Sequence, residues 1–259
     1  MIKEESRLQK DTLFEGIVSV RALIESYAAG INDRRITRIL YDASRRQEKE
    51  LAWLRHRADE YGFSMESVGS TELERITVGS THGGIVAYAA ERTFLPLSYK
   101  TLSAPLSGLY VMLEGIEDPY NFGYAIRSLY AAGTAGIVLS PRNWMSAAGI
   151  VCRASAGASE RISIYSAESA SDAAAFFRGK GCLVVCADLR DSVSVFDADI
   201  GLPAFLIVGG EKRGISRTLL EQADLRVKID YGREFPQALS AASAASVIAF
   251  EIFRKNRKP

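Results

Sequence analysis

The sequence predicts an α/β protein in two parts: an N-terminal α/β unit, then a longer α/β series built on a parallel sheet. Three observations predict it. Helical and strand periodicities alternate along the whole chain. LYVMLEGI and PAFLIVGG are near-continuous apolar runs, as parallel strands covered on both faces require. Between the halves lies ERTFLPLSYKTLSAPLSG, with Pro96, Pro105, several Ser and Thr and no periodicity. The chain therefore divides into 1–95, a linker at 96–107 and 108–259.

The first helix is predicted in FEGIVSVRALIESYAA, where Ile17, Val20, Ala22, Leu23, Ile24 and Tyr27 fall near one stripe. RITRILYD reads as a short strand. RRQEKELAWLRHRADEYG returns to helical period, with Leu51, Leu54, Ala58 and Tyr61 on one side and Gly62 as its stop. FSMESV is a strand candidate, Ser70 a helix N-cap with acids after it, and IVAYAA another strand. In the second half, strand LYVMLEGI is followed by helix DPYNFGYAIRSLYAAG, starting near Asn121, and strand AGIVLS. SAAGIVCRASAG and SASDAAAFFRGKG read as helices, CLVVCAD and PAFLIVGG as strands, SRTLLEQAD as a helix and LRVKID as a strand. The alanine-rich ALSAASAASVIAFEIFRKNRK closes the chain as a helix. Alternation of this kind favours right-handed crossovers in a parallel sheet.

Composition bounds the partners. The 259 residues are 47% apolar and 24% charged, the balance of a globular protein. Thirty-two basic residues meet thirty-one acidic ones, so a polyanion would have to be held by local patches. Cys182 and Cys186 lie four apart on a predicted strand, hence on one face, and Cys152 stands alone. These read as buried small hydrophobes of a reducing compartment, and no His or Cys cluster has metal-ligand spacing. MIKEESRLQK is charged without an apolar core, and no apolar run approaches the roughly 20 residues that span a bilayer. The cytoplasm is the expected location.

Three segments carry chemistry. In Glu117-Asp-Pro-Tyr-Asn-Phe-Gly-Tyr-Ala-Ile-Arg127, a strand ends, a turn follows and a helix begins. Open α/β sheets bind ligands at that carboxyl edge, where Arg127 could hold a phosphate by two parallel bonds. An exposed ion-pair arginine is the other reading. In Ile207-Val-Gly-Gly-Glu-Lys-Arg-Gly214, paired glycines follow a strand and would let a ligand approach the backbone. Glu211 would repel phosphate, so the spacing suits a neutral or cationic ligand or an ordinary strand-to-helix turn. The third, Ile229 to Ser240, is a loop with Gly232 and Pro236 running into the alanine-rich helix. Its small residues suit close helix contact, or plain helix propensity.

In this order and spacing the segments resemble the SpoU (TrmH-type) branch of the SPOUT RNA methyltransferases. Asn121, Gly123 and Arg127 match the family's first motif, and Gly209-Gly-Glu211-Lys-Arg-Gly214-Ile215 its second. Ala238-Leu239-Ser240 stands where the third has Ser-Leu-Asn. Arg153-Ala-Ser-Ala-Gly157-Ala158 is similar to the family's intermediate segment. Glu15-Gly16…Val20 and Ser80-Thr-His-Gly-Gly-Ile-Val-Ala resemble the two ends of its substrate-binding domain. Three positions depart: Ser240 replaces Asn, Ile229-Asp230 replaces Ile-Pro, and Gly83 replaces Gln.

The resemblance implies a ribosomal-protein-like α/β/α RNA-binding domain followed by a trefoil-knotted SPOUT domain. It implies methyl transfer from S-adenosylmethionine to a ribose 2′-hydroxyl, in ribosomal RNA, with transfer RNA as the second substrate class, by a homodimer with active sites near the subunit interface. It assigns catalysis to Arg127, Asn121, Glu211 and Ser240, and cofactor binding to backbone near Leu139, Gly210, Ile229 and Leu239. No metal is required. Arg127 suits an electrostatic role, because true proton acceptance would need a large pKa depression. RNA would be gripped by Arg34, Arg35, Arg38, Arg45 and Arg46, with Lys49 nearby, and by the basic tail Arg254, Lys255, Arg257 and Lys258, although solvated helix faces read the same way. Ser has one hydroxyl where Asn offers donor and acceptor, so a catalytically weakened RNA-binding protein is the competing reading.

Overall fold

The first half of the chain runs β1 (Thr12–Glu15), α1 (Gly16–Ala28), β2 (Ile36–Asp42), α2 (Glu48–Tyr61), β3 (Ser64–Val68), α3 (Ser70–Ile76) and β4 (Ile85–Ala89). The second runs β5 (Leu95–Pro96), β6 (Leu109–Glu114), α4 (Pro119–Ala131), β7 (Gly136–Leu139), α5 (Ala148–Ala154), α6 (Ala158–Arg161), β8 (Ile164–Ser166), α7 (Ala170–Gly179) and β9 (Leu183–Ala187). It closes with β10 (Val193–Ser194), β11 (Ala204–Gly209), α8 (Arg217–Glu221), β12 (Leu225–Lys228) and α9 (Ala241–Asn256). These come from a computed structural model that describes residues 11–45, 48–78, 82–140, 147–210 and 214–257. Two units result: one of the described residues up to Thr93 with 147–161, the other of the rest.

The first unit holds a four-stranded sheet in the order β1-β4-β2-β3, antiparallel except for the parallel β2–β3 pair. The helical stripe expected from Phe14 on begins only at Gly16. Thr12–Glu15 pairs with Val86–Ala89 instead, and Phe14 is fully buried from the strand. Val20 and Ile24 of α1 and Leu51 and Leu54 of α2 join Ile39, Phe63 and Ile85 in one core. The N-cap of α3 is Gly69, not Ser70; the Ser70 hydroxyl donates to the buried Asp42 carboxylate.

Asp42 also accepts from the Ser44 amide (2.9 Å) and hydroxyl (2.6 Å), and pairs with Arg45 at 3.5 Å. The Ser44 and Ser70 hydroxyls hold its carboxyl down at about 2. A depressed carboxyl pKa adds stability above the unfolded value, and that part is lost as pH falls through the folded value. Asp42→Asn should therefore flatten the acid limb of stability between roughly pH 4 and pH 2. Urea unfolding across that range checks it; an unchanged acid limb would contradict the role given to Asp42.

The helices α5 and α6 lie in the second half of the sequence, yet they belong to the first unit. The division read from the sequence puts this segment within 108–259, so the contacts of the chain cross that boundary here. Cys152 is buried with Phe14, Leu23 and Ala89. A Cβ on Gly149 would stand 2.0 Å from the Leu13 carbonyl oxygen, so only glycine lets α5 lie this close to β1. Arg153 donates to Glu15 (2.6 Å) and to the Val78 carbonyl (2.8 Å), and Arg161 pairs with Glu25 at 2.8 Å. Arg34 is buried, 3.1 Å from the equally buried Glu160, and donates to the Ala90 carbonyl at 2.9 Å. Arg92 donates to the Ser159 carbonyl at 2.8 Å.

The second unit holds a parallel sheet in the order β10-β12-β9-β11-β6-β7-β8-β5. Its central strands β6 and β11 are the two apolar runs that announce it. The segment expected to be a linker is not free of the fold. Leu95–Pro96 pairs with β8, and Leu97, Leu102 and Leu106 pack on the core. On one face Phe177 of α7 stacks on Phe205 at 4.2 Å, with Tyr110 at 5.0 Å. Cys182 and Cys186 belong to this cluster, and burial pushes their thiols up to about 11 and about 12. No helix among the described residues is long and apolar enough to cross a membrane.

Candidate active site

Strands β6, β9, β11 and β12 are neighbours in a parallel sheet, so their carboxyl ends open on one side, where α/β sheets bind ligands. A cleft of about 280 Å³ lies there. Ala187–Arg190 line it at and after the end of β9, Gly209, Gly210, Gly214 and Ile215 at and after the end of β11, and Lys228, Ile229 and Tyr231 at and after the end of β12. Ala238 and Leu239 lead into its last wall, formed by Ala241, Ala244 and Ile248 of α9. A smaller hollow of about 180 Å³ is lined by Gly115, Ile116, Glu117, Asp118, Asn121, Ala241 and Ala242. Ala241 borders both.

Local chemistry fixes these walls. Helix α4 starts at Pro119, earlier than Asn121. Pro suits the first helical position because its missing N–H is unused there, and Asp118 caps the helix by accepting the Asn121 N–H at 2.8 Å. The loop after β11 is drawn tight: the Gly214 N–H donates to the Gly210 carbonyl at 2.9 Å. A Cβ on Gly210 would lie 2.4 Å from the Gly115 carbonyl oxygen, and one on Gly209 2.5 Å from the Gly214 carbonyl carbon. The paired glycines thus allow two backbone segments to pack closely, as an ordinary turn would require, and both also line the cleft, as the ligand reading would require.

Of the residues singled out for the cofactor, the cleft brings together Gly210, Ile229 and Leu239. Leu139 is buried at the end of β7 and does not line the cleft. Asn121 lines the smaller hollow. Ser240 is the N-cap of α9: its oxygen accepts the Ser243 N–H at 3.1 Å and lies 3.0 Å from the Ser243 hydroxyl. Glu211 lies outside the described residues. Arg127 is exposed on α4, lines neither hollow and has no ion pair among the described residues. At helical spacing it continues the stripe of Tyr120 and Tyr124, both exposed.

The basic candidates separate sharply. Arg34 is 4% exposed and held by Glu160, so it is not available to a ligand; this corrects its assignment to RNA. Arg35 is exposed. Arg38 lies over Tyr88 at 4.8 Å and 3.7 Å from Glu66. Arg45 pairs with Asp42, and Arg46 lies outside the described residues. In the tail, Arg254 pairs with Glu251 at 2.7 Å. Lys255 donates to the Val195, Phe196 and Ala198 carbonyls, a structural tie and not an open cation. Lys258 also lies outside the described residues.

The charged cleft residues Asp188, Arg190 and Lys228 lie outside the segments singled out in the sequence, and Tyr231 lies within the third of them without a motif position of its own. Each stands at or just after the end of β9 or β12, the position that the carboxyl-edge rule marks. The walls are apolar at Val208, Ile215, Ile229, Leu239 and Ile248, with charge at Asp188, Arg190 and Lys228. Mostly apolar walls with a few polar groups are the usual lining of a small-ligand site. No group of three or more His, Cys, Asp or Glu side chains among the described residues is placed to hold a metal ion.

The fold and the cleft define a parallel α/β protein with a largely apolar cleft at the sheet's carboxyl edge. Comparison with known families makes this specific. Residues 108–250 match the model of the SpoU rRNA methylase family, and residues 15–95 that of the RNA 2′-O ribose methyltransferase substrate-binding domain. The chain belongs to the SpoU rRNA methylase family, the SpoU/TrmH branch of the SPOUT methyltransferases, whose methyl donor is S-adenosylmethionine. A tRNA/rRNA methyltransferase of Mycobacterium ulcerans, itself uncharacterized, is 30% identical over 78% of this chain; the match spans 65% of that protein, just under two thirds of its length. The AdoMet-bound rRNA methyltransferase from Sinorhizobium meliloti is similar in fold, with a TM-score of 0.78 and 23% identity over 99% of this chain and 92% of that one. An RNA 2′-O ribose methyltransferase gives 0.76 and 21% over 98% and 95%.

Proposed function

We propose that this protein transfers a methyl group from S-adenosylmethionine to the 2′-hydroxyl of a ribose in RNA, with ribosomal RNA as the substrate. The observation that carries the proposal is the cleft at the sheet's carboxyl edge, bordered by segments of the second and third motifs and adjoining the hollow of the first. The residues present fit an adenosyl group: Ile215, Ile229, Leu239 and Ile248 offer apolar wall for a purine, and Asp188, Arg190 and Lys228 offer partners for hydroxyl, amino and carboxylate groups. Its about 280 Å³ lies near the lower end of small-ligand sites, roughly 300–1,000 Å³. The bound cofactor supplies a methyl group on a positively charged sulfur, already activated for transfer.

The protein's remaining task is the acceptor. A 2′-hydroxyl is a weak nucleophile beside a phosphate. A guanidinium can pin that phosphate and stabilise negative charge developing on the 2′-oxygen. Arg127 takes this role, and Asn121, in the adjoining hollow, orients the ribose. Arg127 does not line the cleft of its own protomer, so the site is completed by a second copy of the chain. The exposed Tyr120 and Tyr124 of α4 and Val247, Phe250 and Phe253 of α9 are the apolar surface that such a copy would cover. RNA is held by the first unit, with Arg35 and Arg38 as the basic residues exposed or half-exposed on β2 and the turn before it.

One observation favours a second reading, an RNA-binding protein with little activity. The Ser240 side chain is occupied in capping α9 and offers no amide to the acceptor. The test is labelled methyl transfer from S-adenosylmethionine to total RNA, including immature precursors, separated by size. Incorporation into ribosomal RNA is expected. Incorporation into transfer RNA alone would overturn the substrate class, and cofactor binding without any incorporation would favour the second reading.

A further inference from the structure

The segment from Asp230 to Ser240 joins β12 to α9 and forms one wall of the cleft, yet it has no regular structure. One hydrogen bond closes it. The Tyr231 hydroxyl accepts the Leu239 N–H at 3.2 Å, across eight residues. Both residues line the cleft, and both are half-buried. The Tyr231 ring is steadied by Phe235, 6.1 Å away, and Lys228 and Asp230 stand 3.9 Å apart at the root of the loop.

A tyrosine hydroxyl has one proton to give and lone pairs to receive. Here the lone pair is used on Leu239, which leaves the proton free to point into the cleft. The same contact fixes the position of the Leu239 backbone, so the loop enters binding already shaped, and less ordering cost is left for the ligand to meet. We propose that Tyr231 is a positioning residue for the adenosyl group: its hydroxyl holds the Leu239 amide in the wall and presents its own O–H to an acceptor of the ligand. The proposal rests on the placement of S-adenosylmethionine in this cleft.

Tyr231→Phe keeps the ring and removes only the oxygen. Binding of S-adenosylhomocysteine and S-adenosylmethionine is measured by calorimetry on wild-type and variant chains, together with thermal unfolding and steady-state kinetics. The expected result is about tenfold weaker binding of both, the size of one or two net hydrogen bonds. KM for S-adenosylmethionine should rise in step, kcat at saturation should stay near wild type, and the unfolding midpoint should not move. Equal affinities of variant and wild type would overturn the role of Tyr231 and leave the cofactor placement standing. A fall in midpoint that accounts for the weaker binding would make the residue purely structural. A wild-type chain that binds neither ligand would overturn the cofactor placement itself, and this inference with it.

Discussion

Arg127→Ala is expected to lower methyl transfer by about 10²–10³-fold, the usual loss when one preorganised charge-stabilising donor is removed. Affinity for S-adenosylmethionine should stay nearly intact, because Arg127 lines no part of its own protomer's cleft and its proposed role is on the acceptor ribose. Stability should also hold: the side chain is exposed and has no ion pair among the described residues, and exposed substitutions of this kind usually shift stability by less than about 0.5 kcal/mol. Single-turnover methylation beside calorimetric cofactor binding separates the two quantities. A normal rate would refute the catalytic assignment. A loss of cofactor affinity equal to the loss of rate would move Arg127 from the acceptor side to the donor side.

Glu160→Ala should destabilise the first unit by about 3–5 kcal/mol, the cost of leaving a buried charge without its partner. Glu160 is 3% exposed and its carboxylate meets Arg34 at 3.1 Å. Burial pulls the nearby Arg92 guanidinium below its ordinary pKa, and the Glu160 charge opposes that shift. Removing Glu160 leaves two guanidiniums in a poorly solvated place. For a chain of this size the midpoint should fall by on the order of 10 °C. Thermal and urea unfolding check this; a change below about 0.5 kcal/mol would show that water already reaches the pair. Replacing Arg34 and Glu160 together by apolar residues should recover much of the loss, since buried pairs are often neutral against a packed apolar alternative.

The fold was legible where periodicity runs long. The apolar runs of β6 and β11, the stripes of α1 and α2 and the alanine-rich α9 all appear where residue spacing places them. Elements of two or three residues, β8 and β10, are too short to show a period, and β1 hides in front of α1 because Phe14 continues that helix's apolar pattern. Segment 147–161 could not be placed from local pattern at all. Its partners are Leu13, Glu25 and Arg34, more than a hundred residues away in sequence, and Arg34, Arg35 and Arg38 look alike until burial distinguishes them.

The candidate site follows the same division. Gly210, Ile229 and Leu239 were found through the order of motifs, and the structure sets them around one cleft. Leu139 was not distinguishable from them in sequence, because a residue ending one parallel strand looks like a residue ending another. Asp188, Arg190 and Lys228 carried no motif, and Tyr231 lay inside the third segment without a motif position of its own. The signal for the first three was position at or just after the end of a predicted strand, and that signal marks every strand of the sheet equally. Arg127 shows the opposite case: its motif is clear, but its side chain is exposed on α4 and lines neither hollow, and only the proposed second copy gives it a place at the site.

The site of the transferred methyl group tests the central claim most directly. RNA methylated with labelled S-adenosylmethionine is digested with alkali, which cleaves the chain through attack of each free 2′-oxygen on its neighbouring phosphate. A methyl group on that oxygen blocks the cut. The label is predicted in alkali-resistant dinucleotides. Label recovered in mononucleotides, with the methyl group on a base, would contradict the account.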